Sequence, residues 1–206
     1  MKYELVIVGT FETNCYLVYD EDTFECAIVD PGAEPEKIFP VITEFSLKPV
    51  LILNTHGHVD HVGANLDMKE RFSVPLWIHS LDNPLLEAIK GSEMSLFLGA
   101  KDSPLPDKFL KDRETISIGK VSLKVVHTPG HTPGSVGFYG HGTLFSGDTL
   151  FCGGVGRTDL AGGSRKDLEK SIRSRIHTLP AETVVLPGHG PWTTVGQEIV
   201  SNPDLT

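Results

Sequence analysis

The sequence predicts an α+β fold in which two β-sheets pack face to face and helices cover their outer faces. Three observations lead there. Strand-like stretches come in two runs, each followed by helical ones, which is the pattern of a layered sandwich. The nearly continuous apolar run "KPVLILNT" marks a strand buried on both faces. No short repeat, low-complexity tract or linker divides the chain, so residues 1–206 read as one domain, long enough to bury a sizeable core.

The elements follow in order. "YELVIV", "NCYLVY" and "ECAIVD" are short strands rich in β-branched and aromatic residues, closed by the turn "DPGAE". From Pro35 to about Ser46, Ile38, Val41, Ile42 and Phe45 recur at three- and four-residue intervals, which predicts a helix. "KPVLILNT" then delivers the chain into "HGHVDH", after which "VGANLDMKERF" reads as helix and "VPLWIH" as strand. "NPLLEAIKGSEMSLFLGA" suggests one or two short helices, and "KDSPLPDKF" a proline-containing surface loop. Strands resume with "ETISIG", "VSLKVVHT", "SVGFYG" and "TLFSGD". A charged helix from about Arg165 to His177, the strand "TVVLPGHG" and a helix near Val195 complete the chain.

Composition narrows the function. A formal charge of −9, with no cluster of Lys and Arg, excludes a nucleic-acid surface, because phosphate binding relies on clustered cations. No apolar run approaches the ~18 residues of a membrane span, and no secretory signal is evident, so no membrane partner is expected. Cys15, Cys26 and Cys152 are odd in number and form no CxxC, which suits a reducing compartment and the cytoplasm. They read as small buried apolar residues.

Each buried strand that can be followed ends in a loop of polar residues, the usual place for an active site on a rigid sheet. The strand at 50–53 leads to His56, His58, Asp60 and His61; that at 121–126 leads to His131; "TLFSGD" ends at Asp148 and "TVVLPGHG" at His189. In a non-helical loop His56 and His58, two apart, can converge on one ion, with Asp60 and His61 directed to a neighbouring position. Neutral imidazole and carboxylate suit Zn²⁺, Fe²⁺ or Mn²⁺. Asp148, with two oxygens, is the natural bridge between two ions about 3.5 Å apart, an arrangement suited to hydrolysis.

The motif HxHxDH at 56–61, followed by His131 in "TPGHTPGS", Asp148 in "SGDTLF" and His189 in "PGHG", resembles the metallo-β-lactamase superfamily over nearly the whole chain. Within it, "TNCYLV", "GRTDL" and "PGHGPWTTVGQE" resemble the short glyoxalase II-like (hydroxyacylglutathione hydrolase-like) hydrolases. The resemblance implies an αββα sandwich of two mixed sheets. It implies one metal on His56, His58, His131 and Asp148, and a second on Asp60, His61, His189 and the shared Asp148, with zinc first among the candidates. Asp60 is also the expected catalytic carboxylate, and Arg157 in "GVGRTDL" matches a basic glutathione-contacting position. The implied reaction is attack by a metal-bound hydroxide on a small-molecule thioester such as S-lactoylglutathione. Full-length glyoxalase II enzymes carry a helical C-terminal substrate domain, which the 17 residues after His189 do not supply.

Other readings remain beside this one. His56, His131 and Asp148 alone form the two-histidine, one-carboxylate set of non-haem iron oxygenases, which persulfide dioxygenases of the same superfamily use. A metal-binding scaffold without catalysis is a third. His79 and His127 end strands and read as core-edge residues or as donors that orient a ligand. His141 and His177 read as turn and helix-end residues, Asp159 as a partner of Arg157 or a turn cap, and Asn14 as a rim or turn residue.

Overall fold

A computed structural model describes residues 1–205. The first sheet contains β1 (Lys2–Val8), β2 (Thr13–Tyr19), β3 (Glu25–Val29), β4 (Lys48–Leu53), β5 (Leu76–His79) and β6 (Lys108–Leu110), in that order across the sheet. Its first two pairings are antiparallel, set by tight turns, and the remaining three are parallel. Parallel pairing needs a crossover. Between β3 and β4 it is helix α1 (Pro35–Glu44); between β4 and β5 it is α2 (Val59–Val62) and α3 (Asn65–Phe72). Helices α4 (Asn83–Ala88) and α5 (Glu93–Leu98) precede β6.

The second sheet is built from β7 (Thr115–Ile118), β8 (Val121–His127), β9 (Val136–Gly140) and β10 (Thr143–Gly147), an antiparallel meander. A small hairpin, β11 (Leu150–Phe151) and β12 (Gly154–Val155), follows. Helix α6 (Arg165–Ser171) then carries the chain to β13 (Val184–Pro187), parallel to β10, and to β14 (Thr193–Thr194), which runs into α7 (Val195–Ser201). The spatial order is β14-β13-β10-β9-β8-β7, so both six-stranded sheets are mixed.

Side-chain alternation explains the layering. Along fully buried β2, Tyr16 and Val18 face the second sheet, joining Val29, Leu53, Leu123, Val125, Phe138 and Phe145 in the inner core. The intervening Cys15 and Leu17 face the other way, against Ile38 and Ile42 of α1 and Met68 of α3. Behind the second sheet, Leu144 and Val185 pack on Leu168, Ile172, Ile176 and Val195 from the 165–176 helical segment and α7. The result is the αββα sandwich of two mixed sheets.

Three local expectations need correction. The end of the expected surface loop "KDSPLPDKF" is strand: β6 pairs Lys108 with Trp77, and the Lys108 ammonium lies 4.0 Å from the Trp77 ring centroid. Three residues are too few to show a period of two, so β6 exists because β5 offers an edge. The charged helix is α-helical only to Ser171. It then widens over Ile172–Ile176, where the His177 N–H reaches the Ile172 carbonyl. Cys15 and Cys26 are buried as expected, but Cys152 is exposed, because it occupies the turn between β11 and β12.

Phe138 is fully enclosed between the sheets. Phe138→Ala should lower unfolding stability by about 3–5 kcal/mol in a chemical-denaturation curve, through lost burial and the cavity left behind.

Candidate metal centre

The loops at one end of the sandwich bring seven side chains together. His56 and His58 lie in the turn between β4 and α2, and Asp60 and His61 lie in α2 itself. His131 comes from the β8–β9 loop, Asp148 follows β10, and His189 follows β13. His131 Nε2 is 3.3 Å from His56 Nε2 and 2.9 Å from His58 Nδ1. A few ångströms away, His189 Nε2 is 3.2 Å from His61 Nε2 and 3.3 Å from Asp60 Oδ2. Asp148 lies between the groups, with Oδ1 3.4 Å from His61 Nε2 and Oδ2 3.6 Å from both His131 Nε2 and His189 Nε2.

The donors are aimed as ligands are aimed. Tetrahedral ligands about 2.05 Å from an ion stand about 3.3 Å from one another, which is the spacing here. In four of the five imidazoles the far nitrogen is occupied. His61 Nδ1 lies 3.0 Å from Asp30 Oδ2, His131 Nδ1 2.8 Å from the Arg157 carbonyl, and His189 Nδ1 2.8 Å from the Phe11 carbonyl. Each of these oxygens accepts, so Nδ1 carries the proton and Nε2 presents a lone pair to the centre. His56 follows the same logic through Thr55. The Thr55 hydroxyl donates to Asp30 Oδ2 at 2.6 Å and so can accept from His56 Nδ1 at 3.0 Å. Lone pairs facing lone pairs do not satisfy each other. Asp148 Oδ1 is buried with no hydrogen-bond donor. A cation is what this donor set lacks, and the residues fit one ion in each group.

Electrostatics follow from the same packing. Burial and the surrounding imidazoles push His56 well below the ordinary histidine value, and His58 down to about 4, so both are neutral at pH 7. Burial opposes a charge on His61, but Asp148 and Asp60 outweigh it and hold that imidazole well above its ordinary value. Burial likewise works against the charge of Asp60, yet His61 and His189 keep its carboxyl below the usual range.

Two buried carboxylates that the motifs did not point to hold the loops in place. Asp30, just past β3, accepts from the Thr55 N–H and hydroxyl as well as contacting His61, so it orients two histidines. Asp82, just before α4, accepts from Gly57 N at 2.9 Å, Gly134 N at 2.6 Å and Thr132 Oγ1 at 2.7 Å. It therefore ties the His56–His58 turn to the His131 loop, and burial outweighs these bonds to raise its pKa. Their only sequence signal is an aspartate one to three residues after a strand.

Asn14 is not a turn residue but reaches the rim from β2. It is a buried residue of β2 whose Nδ2 donates to the Pro187 and Gly190 carbonyls, and the Tyr16 hydroxyl also donates to Pro187, so the two brace the His189 loop. His79 and His127 stack with centroids 4.3 Å apart where the two sheets approach, and His127 Nε2 is 3.0 Å from the Pro133 carbonyl. Arg157 reaches the centre by its backbone, through His131. Its exposed guanidinium forms a paired contact with Asp159 at 2.7 and 2.8 Å.

Comparison with known proteins agrees with this geometry. Residues 8–189 match the metallo-beta-lactamase superfamily. The chain belongs to that superfamily. It is 39% identical to hydroxyacylglutathione hydrolase GloC of Haemophilus influenzae, an alignment spanning 100% of this chain and 98% of the relative. Among solved structures, BLEG-1, a B3 metallo-beta-lactamase, superposes with a TM-score of 0.92 at 39% identity over the full length of both chains. TTHA1623 in a di-iron-bound form superposes with a TM-score of 0.89 at 40% identity, covering 97% of this chain and 98% of that one.

Two substitutions probe the scaffold. Asp30→Ala frees His61 and leaves the Thr55 N–H unpaired; metal titration should show affinity reduced 10- to 100-fold. A Cβ at Gly188 would lie 2.2 Å from Asp148 Oδ1 and 2.7 Å from His61 Cε1. Gly188→Ala should therefore lower stability by about 1–3 kcal/mol through overpacking, and the isolated protein should retain less than its full metal complement.

Proposed function

We propose that the protein is a dinuclear metal-dependent hydrolase acting on a thioester, with S-lactoylglutathione as the first substrate to test. The observation that carries this reading is the division of the donors into two sets on either side of Asp148. His56, His58 and His131 would hold one ion, Asp60, His61 and His189 the other, and Asp148 would serve both. Two such ions, with Zn²⁺ the first candidate and iron or manganese the alternatives, would supply hydroxide near neutral pH and positive charge for the developing oxyanion. The di-iron form of TTHA1623 keeps iron in that group.

The chain's own residues do the rest. Asp60 stays ionised and can accept a hydrogen bond from the attacking water, with Thr13 Oγ1 3.5 Å from its Oδ2. Asp30 and Asp82 hold the imidazoles in one orientation throughout, so little reorganisation accompanies reaction. A thiol with a solution pKa of ~8.5 leaves as thiolate and needs no strong general acid. Arg157, steadied by Asp159, is the cation offered to a carboxylate of a glutathione conjugate. The 39% identity with GloC over the whole chain supports this substrate class.

Metal analysis of the purified protein, run beside thioester, β-lactam and oxygen-uptake assays, tests the proposal. Two ions per chain and thioester cleavage without oxygen consumption are expected. One iron per chain with oxygen uptake would favour the dioxygenase reading through His56, His131 and Asp148. His58→Ala and Asp60→Ala should each reduce kcat/KM by roughly a hundredfold or more, the scale lost with a group that stabilises the transition state. Full activity in both variants would rule out the dinuclear mechanism.

A further inference from the structure

The helical segment 165–176 covers the outer face of the second sheet only in part. Along β8, Leu123 and Val125 turn into the inner core, so Lys124 between them faces outward. Its direct partner on β9 is Tyr139, which packs at the edge of the outer core. Between these strands and the widened turn that carries Ser174 and Arg175 lies a cavity of about 350 Å³. That is the size of pockets that hold small ligands. A second hollow of about 210 Å³ adjoins it, shares Ser174 and Arg175, and runs on to Lys170, His127 and Asp167.

The charge of the larger cavity is opposite to that of the chain. The whole sequence carries −9, yet Arg113, Lys124 and Arg175 line this space and no carboxylate does. Arg175 is a fixed cation. Its guanidinium pairs with Asp112, whose Oδ1 also accepts the His127 N–H at 3.0 Å, and only 27% of its side chain is exposed. Arg113 Nε lies 3.6 Å from the other Asp112 oxygen, and the Arg113 N–H donates to the Val125 carbonyl, which seats it beside β8. Three cations thus stand against one carboxylate. The next nearest acid in the chain, Glu114, is taken by Lys108, which leaves Lys124 unpaired among the described residues.

Two guanidinium forks and an ammonium match the oxygens of a phosphoryl group. The remaining walls are apolar or aromatic: Val125, Val126, Leu179 and the ring of Tyr139. A bare inorganic ion would leave those walls uncovered, whereas a planar base would lie against them. We propose that this cavity is a nucleoside-phosphate site, with Arg113, Lys124 and Arg175 holding the phosphoryl group and Tyr139, Val126 and Leu179 the nucleoside. It is separate from the metal centre and independent of the hydrolase reading.

Calorimetry on the metal-loaded full chain at ~0.15 M salt, with adenosine 5′-monophosphate, adenosine and inorganic phosphate, tests the site. The nucleotide should bind one per chain, about tenfold more tightly than either fragment, because only it satisfies both the cations and the apolar walls. Lys124→Glu should weaken nucleotide binding roughly tenfold to a hundredfold, the scale of a charged hydrogen bond, and Tyr139→Phe about fivefold. Lys124→Arg should restore binding. Lys124 is exposed on the sheet surface, so Lys124→Glu should leave metal content and hydrolytic activity unchanged. Nucleotide affinity unchanged in Lys124→Glu overturns the site and leaves the metal centre as the seat of the phosphate. Nucleotide binding no tighter than inorganic phosphate, or absent at this salt, overturns it in favour of a diffuse positive surface.

Discussion

Asp30 accepts the N–H and hydroxyl of Thr55 and contacts His61, while Asp82 accepts two loop N–H groups and a third hydrogen bond from Thr132. These buried carboxylates hold in place groups that would otherwise separate or rearrange. Five imidazoles converging with lone pairs inward gain nothing from one another. Their positions are imposed by hydrogen bonds to atoms behind them, which are anchored in turn to strand ends. The sandwich therefore supplies rigidity at the one end where its loops are under electrostatic tension. Burial makes that rigidity worthwhile, because fixed charges act more strongly away from water.

The two sheets contribute unequal parts. The first supplies the HxHxDH turn after β4 and both organising aspartates, after β3 and β5. The second supplies His131, Asp148 and His189, which follow β8, β10 and β13. Contacts across the sandwich then lock one set to the other. The Val136 N–H donates to the Thr55 carbonyl, and the Asn14 N–H to the Gly188 carbonyl. A site divided in this way forms only when both sheets have packed, so catalytic geometry and the folded core are one cooperative unit.

Close approach imposes a second constraint. The chain passes so near Asp148 that only hydrogen fits at Gly188, and at Gly32 an added Cβ would lie 1.7 Å from the Asp60 carbonyl. These glycines sit in short turns whose sequence, "PGHG" and "DPGAE", reads as ordinary turn chemistry. Their purpose emerges from what lies across the loop. The same holds for Arg157, whose backbone carbonyl orients His131 while its side chain points to Asp159.

The sequence by itself determined the layered α+β architecture, most element positions and the family. Alternating burial writes itself into strands as a period of two, and a dense histidine motif has few structural uses. It also named the seven candidate ligands, because imidazoles and carboxylates at strand ends are conspicuous by type. Tertiary structure alone decided that β6 is a strand, that Cys152 is exposed, that Asn14 and Tyr16 brace His189, and that Asp30 and Asp82 organise the centre. Each depends on a partner far away in the chain: an available sheet edge, a hairpin turn, a carbonyl some 170 residues on, or loops from both sheets. A single aspartate carries no periodicity and no motif, so its role becomes visible only when folding brings its donors to it.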